Sequence, residues 1–149
     1  MNENLTKPII TRKWKYEDAV SIARLNAQWG YEATSKEINV RLREFSLLQG
    51  HELFIAEING ETAGWLHVCR EFSMGAGAYA EIAGLVVDEK HRRKGIAKAL
   101  IGEAKQWAKE NGLKKLKVRT NIKRPEASLV YPKCGLTPEK QQNVFGMEL

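Results

Sequence analysis

The chain carries a run of basic residues directly before a glycine and a segment of helical periodicity. His91, Arg92, Arg93 and Lys94 precede Gly95, and the apolar residues after it recur with the spacing of one buried helix face. A turn at this place meets the positive end of a helix, where backbone N–H groups lack partners and acidic side chains are favoured. Cations gathered there favour a site for an anion such as pyrophosphate over the alternative, a solvated basic loop.

The elements around this turn are predicted from periodicity and turn residues. Apolar residues three and four apart predict helices, alternation predicts strands, and Asn59-Gly60 predicts a tight hairpin. The predicted class is mixed α/β (α+β): a largely antiparallel sheet with one parallel β-α-β crossover that contains the basic turn. In chain order we expect a strand at 8–14, a helix at 18–28, a helix from Thr34 or Ser35 to Gly50, and a hairpin of strands at 53–58 and 62–72. A strand at 79–88, a helix ending at Gly112, a strand at 116–120, a helix at about 126–131 and a last strand at 143–149 should follow.

Length and composition bound the class of protein. With 149 residues, 43% of them hydrophobic, the chain is expected to form one domain, residues 1–149. No segment is long and apolar enough to span a bilayer, and the start lacks the order of a signal peptide, so we expect a cytoplasmic protein without a membrane partner. Cys69 and Cys134 have no CxxC or histidine spacing around them, which predicts reduced thiols and no metal site.

The stretch AEIAGLVVDEKHRRKGIAKALI resembles the signature of the GNAT superfamily of acyl-CoA-dependent N-acetyltransferases. The order of elements over nearly all the chain is similar to that family, as is RPEASLVYPKCGL, which resembles its late segment with a tyrosine. The chain departs from the pattern at Arg93, where many members have glycine, and at Pro132. The resemblance implies helices on both faces of the sheet and acetyl-CoA as acyl donor, without a metal. The pattern Gln/Arg-x-x-Gly-x-Gly/Ala is matched by Arg92, Arg93, Lys94, Gly95, Ile96 and Ala97.

The same resemblance implies where the acyl donor would bind. The backbone from Arg93 to Ala97 would hold the pyrophosphate. The pantetheine arm would lie along Leu85, Val86 and Val87, on strand backbone that splays from its neighbour. Asn121, just past the following strand, would face the same cleft.

Acetyl transfer to an amine needs a base, because an alkylammonium with a pKa of about 10 is not a nucleophile, and a proton donor for the departing thiolate. Glu81 is the expected base: strict alternation puts it on the face of Leu85, and Gly84 suggests a bulge that turns a backbone N–H outward. Tyr131 is the expected acid, and Pro132 should disfavour helical angles there and redirect the hydroxyl. The alternatives are a surface or lysine-paired carboxylate and a half-buried tyrosine that fills the core.

The acceptor is the least determined part of the site. Trp29 and Tyr31, between the first two helices, could stack on a primary amine of a small molecule, such as an aminoglycoside, a polyamine or an amino acid. Both could equally fill the core. The amine would attack the thioester directly in a ternary complex.

Other functions remain open at this point. The chain could acetylate proteins or peptides, or bind CoA without catalysis, because a fold does not settle function. The net charge of +6 and the basic residues at 114–124 permit nucleic acid binding. No nucleic-acid-binding motif is present in the sequence, so this partner is not expected. A homodimer stays open.

Overall fold

One sheet organises the larger part of the molecule. The structure is a computed structural model that describes residues 7–120 and 125–149, with side chains at 7–120 and 129–149. Neighbouring strands follow the order of the chain, and all pairs are antiparallel except the last, which is parallel. The mixed class with one parallel crossover is therefore confirmed. The strands are β1 (Ile9–Lys13), β2 (His51–Ile58), β3 (Glu61–Ser73), β4 (Gly77–Val87) and β5 (Leu116–Val118).

The helices lie where periodicity predicts them, with one end displaced. The Thr34 hydroxyl accepts a hydrogen bond from the Glu37 N–H at 3.1 Å and so caps the second helix, as expected. That helix ends at Ser46, before the expected Gly50, and Leu47 and Leu48, which follow it, are exposed. The helices are α1 (Ala19–Ala27), α2 (Ser35–Ser46), α3 (Ile96–Glu110) and α4 (Pro125–Lys133), with short 3₁₀ turns at Tyr16–Asp18 and Glu89–His91.

Internal contacts divide the chain into two compact units, Met1–Arg119 and Thr120–Leu149. The first contains the whole sheet and helices α1 to α3, and the second contains α4. The strand expected at 143–149 is wrong: residues 134–149 form no strand, and Phe145 and Met147 are exposed. Gly146 weakens the strand pattern there, and alternation alone supplies no partner strand. No helix in the described ranges is both long and apolar enough to cross a membrane.

Helices cover both faces of the sheet, as expected. Leu53 and Ile55 of β2 pack with α1 and α2 in a core cluster that Trp65 of β3 joins. The neighbouring Gly64 faces α3 instead: a Cβ atom there would lie 3.0 Å from Ile96 Cγ2. Because adjacent residues of a strand point to opposite faces, α3 lies on one face and α1 with α2 on the other.

The pairing of β3 with β4 contains the expected bulge. His67 pairs with Gly84 and Val68 pairs with Ile82, so Ala83 is an extra residue on β4. This bulge reverses the alternation that the sequence suggests beyond it.

Leu85 is therefore not on the face of Glu81, and the prediction from strict alternation is wrong. Glu81 pairs with Cys69, Gly84 with His67, and Leu85 with Leu66, which belongs to the opposite face. Glu81 thus lies on the face that α1 and α2 cover, next to Cys69 of β3.

Candidate functional site

In the basic turn, the backbone leaves the N-terminus of α3 without a capping side chain. Arg93 and Gly95 have φ values of 63° and 87°, both in the left-handed region. Gly95 occupies the N-cap position without a capping side chain, and the first turn of α3 holds no acidic residue. Arg92 and Lys94 are exposed beside it, whereas Ile96 is buried and fixes the helix to the core. Positive charge and first-turn N–H groups therefore coincide at one exposed point, which suits an anion.

Asp88 fixes the approach to this turn. Its side chain is 2% exposed and accepts hydrogen bonds from Arg24 Nη1 at 2.8 Å and Gln28 Nε2 at 3.2 Å, both on or next to α1. It also accepts from the Lys90 N–H at 3.2 Å. Burial raises the pKa of Asp88, but these donors outweigh it and the net pKa is lowered. The turn is thus anchored to α1 by an ionised carboxylate.

His91, three residues after Asp88, is also buried. The residue is 8% exposed, with Nε2 3.6 Å from a Glu61 carboxylate oxygen and Nδ1 3.2 Å from Lys94 Nζ. Its ring therefore supports the turn from within, while the neighbouring cations face outward.

Trp29 and Tyr31 differ in their exposure. The Arg92 guanidinium carbon lies 4.9 Å from the centre of the Trp29 ring, which is half-buried. Tyr31 is 61% exposed. The loop between α1 and α2 thus places one aromatic ring against the basic turn and the other at the surface, and the acceptor contacts expected of both residues stay predictions.

The edge of β4 next to β5 is paired over a short distance. Ala80, Glu81 and Ile82 pair with Leu116 to Val118, and in the described chain no strand pairs with that edge beyond the bulge. On the other side this part of β4 stays paired with β3 through Leu85, Val86 and Val87. It therefore offers one free row of backbone groups that leads from the bulge to the basic turn.

Glu81 lies at the start of this row and is paired with an arginine. It is 8% exposed, and Arg119 Nη1 makes a short hydrogen bond to its Oε1. The Glu81 charge raises the pKa of Arg119. The Lys117 ammonium lies 4.6 Å above the ring of Tyr79, two residues before Glu81. The carboxylate is thus held in one orientation at the end of β5.

A second group of polar side chains lies on the same face. His51 Nδ1 and His67 Nε2 are 2.9 Å apart, and the Cys69 thiol donates to Glu71 Oε1 at 3.5 Å. Burial lowers the pKa of His67 to about 4 and raises the pKa of Cys69 to about 12. This group was missed from the sequence, because its members become neighbours only through strand register.

Tyr131 belongs to the second compact unit. Tyr131 is half-buried in α4, and burial raises the pKa of its phenol. The helix continues through Pro132, so the expectation that this proline moves Tyr131 out of helical conformation is wrong. A proline in the last turn of a helix removes only one donor, which α4 tolerates. Asn121, expected to face the cleft, lies outside the described residues.

Comparisons with known proteins agree with this geometry. The model of the acetyltransferase (GNAT) family matches residues 17–136. A streptothricin acetyltransferase of Escherichia coli is 40% identical over 58 residues, which span 39% of this chain and 33% of that protein.

Solved structures share the fold over nearly their whole length. A transcriptional regulator from Bacillus halodurans C-125 has a TM-score of 0.85 at 21% identity, covering 94% of this chain and 100% of that one. An aminoglycoside acetyltransferase from an uncultured soil metagenomic sample, solved in complex with sisomicin, has a TM-score of 0.79 at 20% identity, covering 95% and 96%. At such identities these structures are evidence for the fold alone.

Proposed function

Because the chain belongs to the acetyltransferase (GNAT) family, we propose that it transfers the acetyl group of acetyl-CoA to a primary amine of a small molecule. The observation that carries this proposal is the open N-terminus of α3, where left-handed backbone, exposed cations and the absence of a first-turn carboxylate coincide. A pyrophosphate needs several convergent donors, and this turn supplies both backbone and side-chain ones.

The proposed binding mode of acetyl-CoA uses two features of the first unit. The turn from Arg92 to Ala97 would take the pyrophosphate. The free edge of β4 at Leu85, Val86 and Val87 would pair with the amide groups of the pantetheine arm, as an added strand does at a sheet edge. Asn121 remains a proposed contact on the strength of the resemblance alone.

The proposed chemistry is direct attack of the amine on the thioester carbonyl. Glu81 accepts the proton of the ammonium, directly or through water, because it is an anchored carboxylate at the end of the free edge. The C–N bond then forms as the C–S bond breaks, and the electron pair leaves with the CoA sulfur. Tyr131 gives its proton to this thiolate. The raised pKa of its phenol keeps that proton in place at neutral pH.

The proposed acceptor is a small cationic amine of the aminoglycoside, polyamine or amino-acid kind. The relative named as a streptothricin acetyltransferase supports this class over the 58 residues that it shares with the chain. Tyr31 is proposed to contact the acceptor, since it is exposed in the loop between α1 and α2. Acetylation of protein lysines and CoA binding without catalysis are the competing functions.

The proposal takes the chain as a single N-acetyltransferase domain, residues 1–149, because the matched family model runs across both compact units. A cytoplasmic location is part of the same proposal. Both cysteines are free thiols, which is typical of proteins from reducing compartments.

An acceptor panel tests the function. Purified protein with acetyl-CoA is given a streptothricin, sisomicin, spermidine, free lysine or a lysine-containing peptide, and released CoA thiol is measured. We expect turnover with at least one of the small amines. Turnover with the peptide alone would support protein acetylation, and CoA binding by calorimetry without turnover on any amine would support a non-catalytic module.

A further inference from the structure

We propose that His51, His67 and Cys69 form a binding site for a transition-metal dication such as Zn²⁺, on the face of the sheet that α1 and α2 cover. Each residue offers one ligand atom, and the three atoms all lie within 4.8 Å of one another. They come from neighbouring strands: His51 of β2 pairs directly with Cys69 of β3, and His67 lies two residues before Cys69 on the same face.

The ligand atoms lie near tetrahedral spacing: the two nitrogens are slightly too close to one another, and the Cys69 sulfur lies within 4.8 Å of both. With Zn–N bonds of about 2.0–2.1 Å and Zn–S bonds of about 2.3 Å, ligand atoms in a tetrahedral site lie about 3.3–3.6 Å apart. His51 Nδ1 and His67 Nε2, now 2.9 Å apart, would separate by less than about half an ångström. Imidazole and thiolate are donors that favour Zn²⁺ or copper over Mg²⁺ or Ca²⁺.

The surroundings of the three ligands favour a cation. The Glu71 carboxylate lies 3.5 Å from Cys69 Sγ, whereas Glu81, directly across from Cys69 on β4, is already paired with Arg119. The ring of Phe45 from α2 meets both imidazoles edge-on, with centroids 5.9 Å from His51 and 5.0 Å from His67. One side of the cluster is therefore apolar and shielded, and the other is acidic.

The protons balance on binding. Of the two imidazole nitrogens that face each other, one carries a hydrogen and the other accepts it. In the complex this hydrogen moves to the other nitrogen of its own ring, so that both facing nitrogens offer a lone pair. The thiol of Cys69 loses its proton to solvent through Glu71, and the charge of the dication stabilises the thiolate.

A second cluster in the described residues serves as a contrast. Glu61, Asp88 and His91 also bring ligand atoms together, but Lys90 pairs with Glu61, and Arg24 pairs with Asp88. Cations of the protein already satisfy these carboxylates, so this cluster carries no metal proposal.

The experiment titrates Co²⁺ into the full chain after reduction and removal of metals with a chelator. We expect binding of one Co²⁺ per chain with an intense near-ultraviolet band from thiolate-to-cobalt charge transfer. Cys69→Ser should abolish the band and weaken binding more than about 100-fold, since even outer-sphere partners of metal ligands contribute 10- to 100-fold. The matched control is Cys134→Ser, which removes the other buried thiol and should bind as the unmodified chain does.

A second variant and a second readout keep the test decisive if Cys69→Ser folds poorly. His51→Gln changes a half-buried residue and should lower Co²⁺ affinity by a similar factor. Excess Zn²⁺ should raise the Tm of the unmodified chain and of Cys134→Ser but not that of His51→Gln. The site is disproved if the unmodified chain gives no charge-transfer band or no Tm rise, or if Cys134→Ser loses the band while His51→Gln keeps it.

Discussion

The two ends of the free β4 edge are built in opposite ways. At the basic turn, exposed cations and backbone N–H groups come from residues adjacent in sequence, Arg92 to Ala97. Around Glu81, the polar groups come from strands β2 to β4 and from Arg119, just after β5, and all of them except Arg119 are buried or half-buried. The first end is an open, local cradle, and the second is a closed assembly that exists only when the sheet is formed.

This difference has a consequence for mutations. A change at the basic turn should alter the binding of one ligand and leave the stability of the fold nearly unchanged. A change around Glu81 should alter both the rate of the reaction and the stability of the fold, because each side chain there contacts another strand.

Glu81→Gln should lower kcat/KM about 10²- to 10⁴-fold, because it removes the proposed proton acceptor. The loss should be greatest below the pKa of the amine and shrink at higher pH, where solution supplies the free amine. Free thiol release across a pH series measures this. Glu57→Gln is the matched control, since Glu57 is also a strand carboxylate paired with an arginine, Arg12. Equal turnover of Glu81→Gln and the unmodified chain would remove Glu81 from the mechanism.

Ala97→Asp should weaken CoA binding roughly 30- to 1,000-fold without lowering the Tm. A unit charge about 4–8 Å from a phosphate costs about 2–4 kcal/mol at an effective dielectric constant of 20, yet an acidic residue in the first turn of a helix is favourable. Calorimetry and thermal unfolding measure the two quantities. Val20→Asp places the same side chain at the same position of α1, where Val20 is exposed, and should leave CoA affinity unchanged. A parallel loss in both variants would show a nonspecific charge effect.

Asp88→Asn should lower the free energy of unfolding by about 1–3 kcal/mol at pH 7, because it weakens buried bonds to Arg24 and Gln28. The pKa of Asp88 is lowered in the folded state, so its contribution is present above about pH 3.9, the pKa of an unperturbed aspartate, and is lost as pH falls further. Urea unfolding of both proteins should therefore converge in acid. Glu61→Gln, in an exposed pair with Lys90, should change stability by less than about 1 kcal/mol. If the difference in unfolding free energy between Asp88→Asn and the unmodified chain stayed constant down to pH 3, the ionised Asp88 carboxylate would not be its source.

Trp29→Ala and Tyr31→Ala should separate the two substrates. Loss of the Arg92 contact, about 0.5–1 kcal/mol, should raise the KM for acetyl-CoA about two- to fivefold in Trp29→Ala. Tyr31→Ala should raise the KM for the acceptor by a similar factor and leave that for acetyl-CoA unchanged. Steady-state kinetics with each substrate varied in turn measures both, and an identical pattern in the two variants would show that the loop acts as one unit.

The local parts of the molecule could be predicted from the sequence. The Thr34 cap, the helix after Gly95 and the bulge beside Gly84 are confirmed, because each is encoded in a few consecutive residues. The parallel crossover is confirmed as well, because the order strand, helix, strand predicts it. The residues assigned to cofactor binding and catalysis stay predictions. The partners of Glu81 and Trp29 could not be foreseen, since Arg119 and Arg92 reach them only in the folded chain.

The histidine–cysteine group shows why register limits such predictions. Extending the hairpin from Asn59-Gly60 without interruption would pair His51 with Val68, on the opposite face from Cys69. A bulge at Ala56/Glu57 shifts the pairing by one residue and brings His51 opposite Cys69. The extra residue of this bulge is Ala63, next to Gly64, but a glycine alone does not determine that the pairing shifts there.

Arg93 holds a left-handed backbone that costs a residue with a Cβ about 1–2 kcal/mol relative to glycine. Selection for heat resistance alone would therefore favour glycine at this position. If Arg93 helps to hold the pyrophosphate, as proposed, selection for growth on scarce acyl donor would retain the arginine. A thermostabilised Arg93→Gly variant should therefore be assayed at low acetyl-CoA before it is adopted.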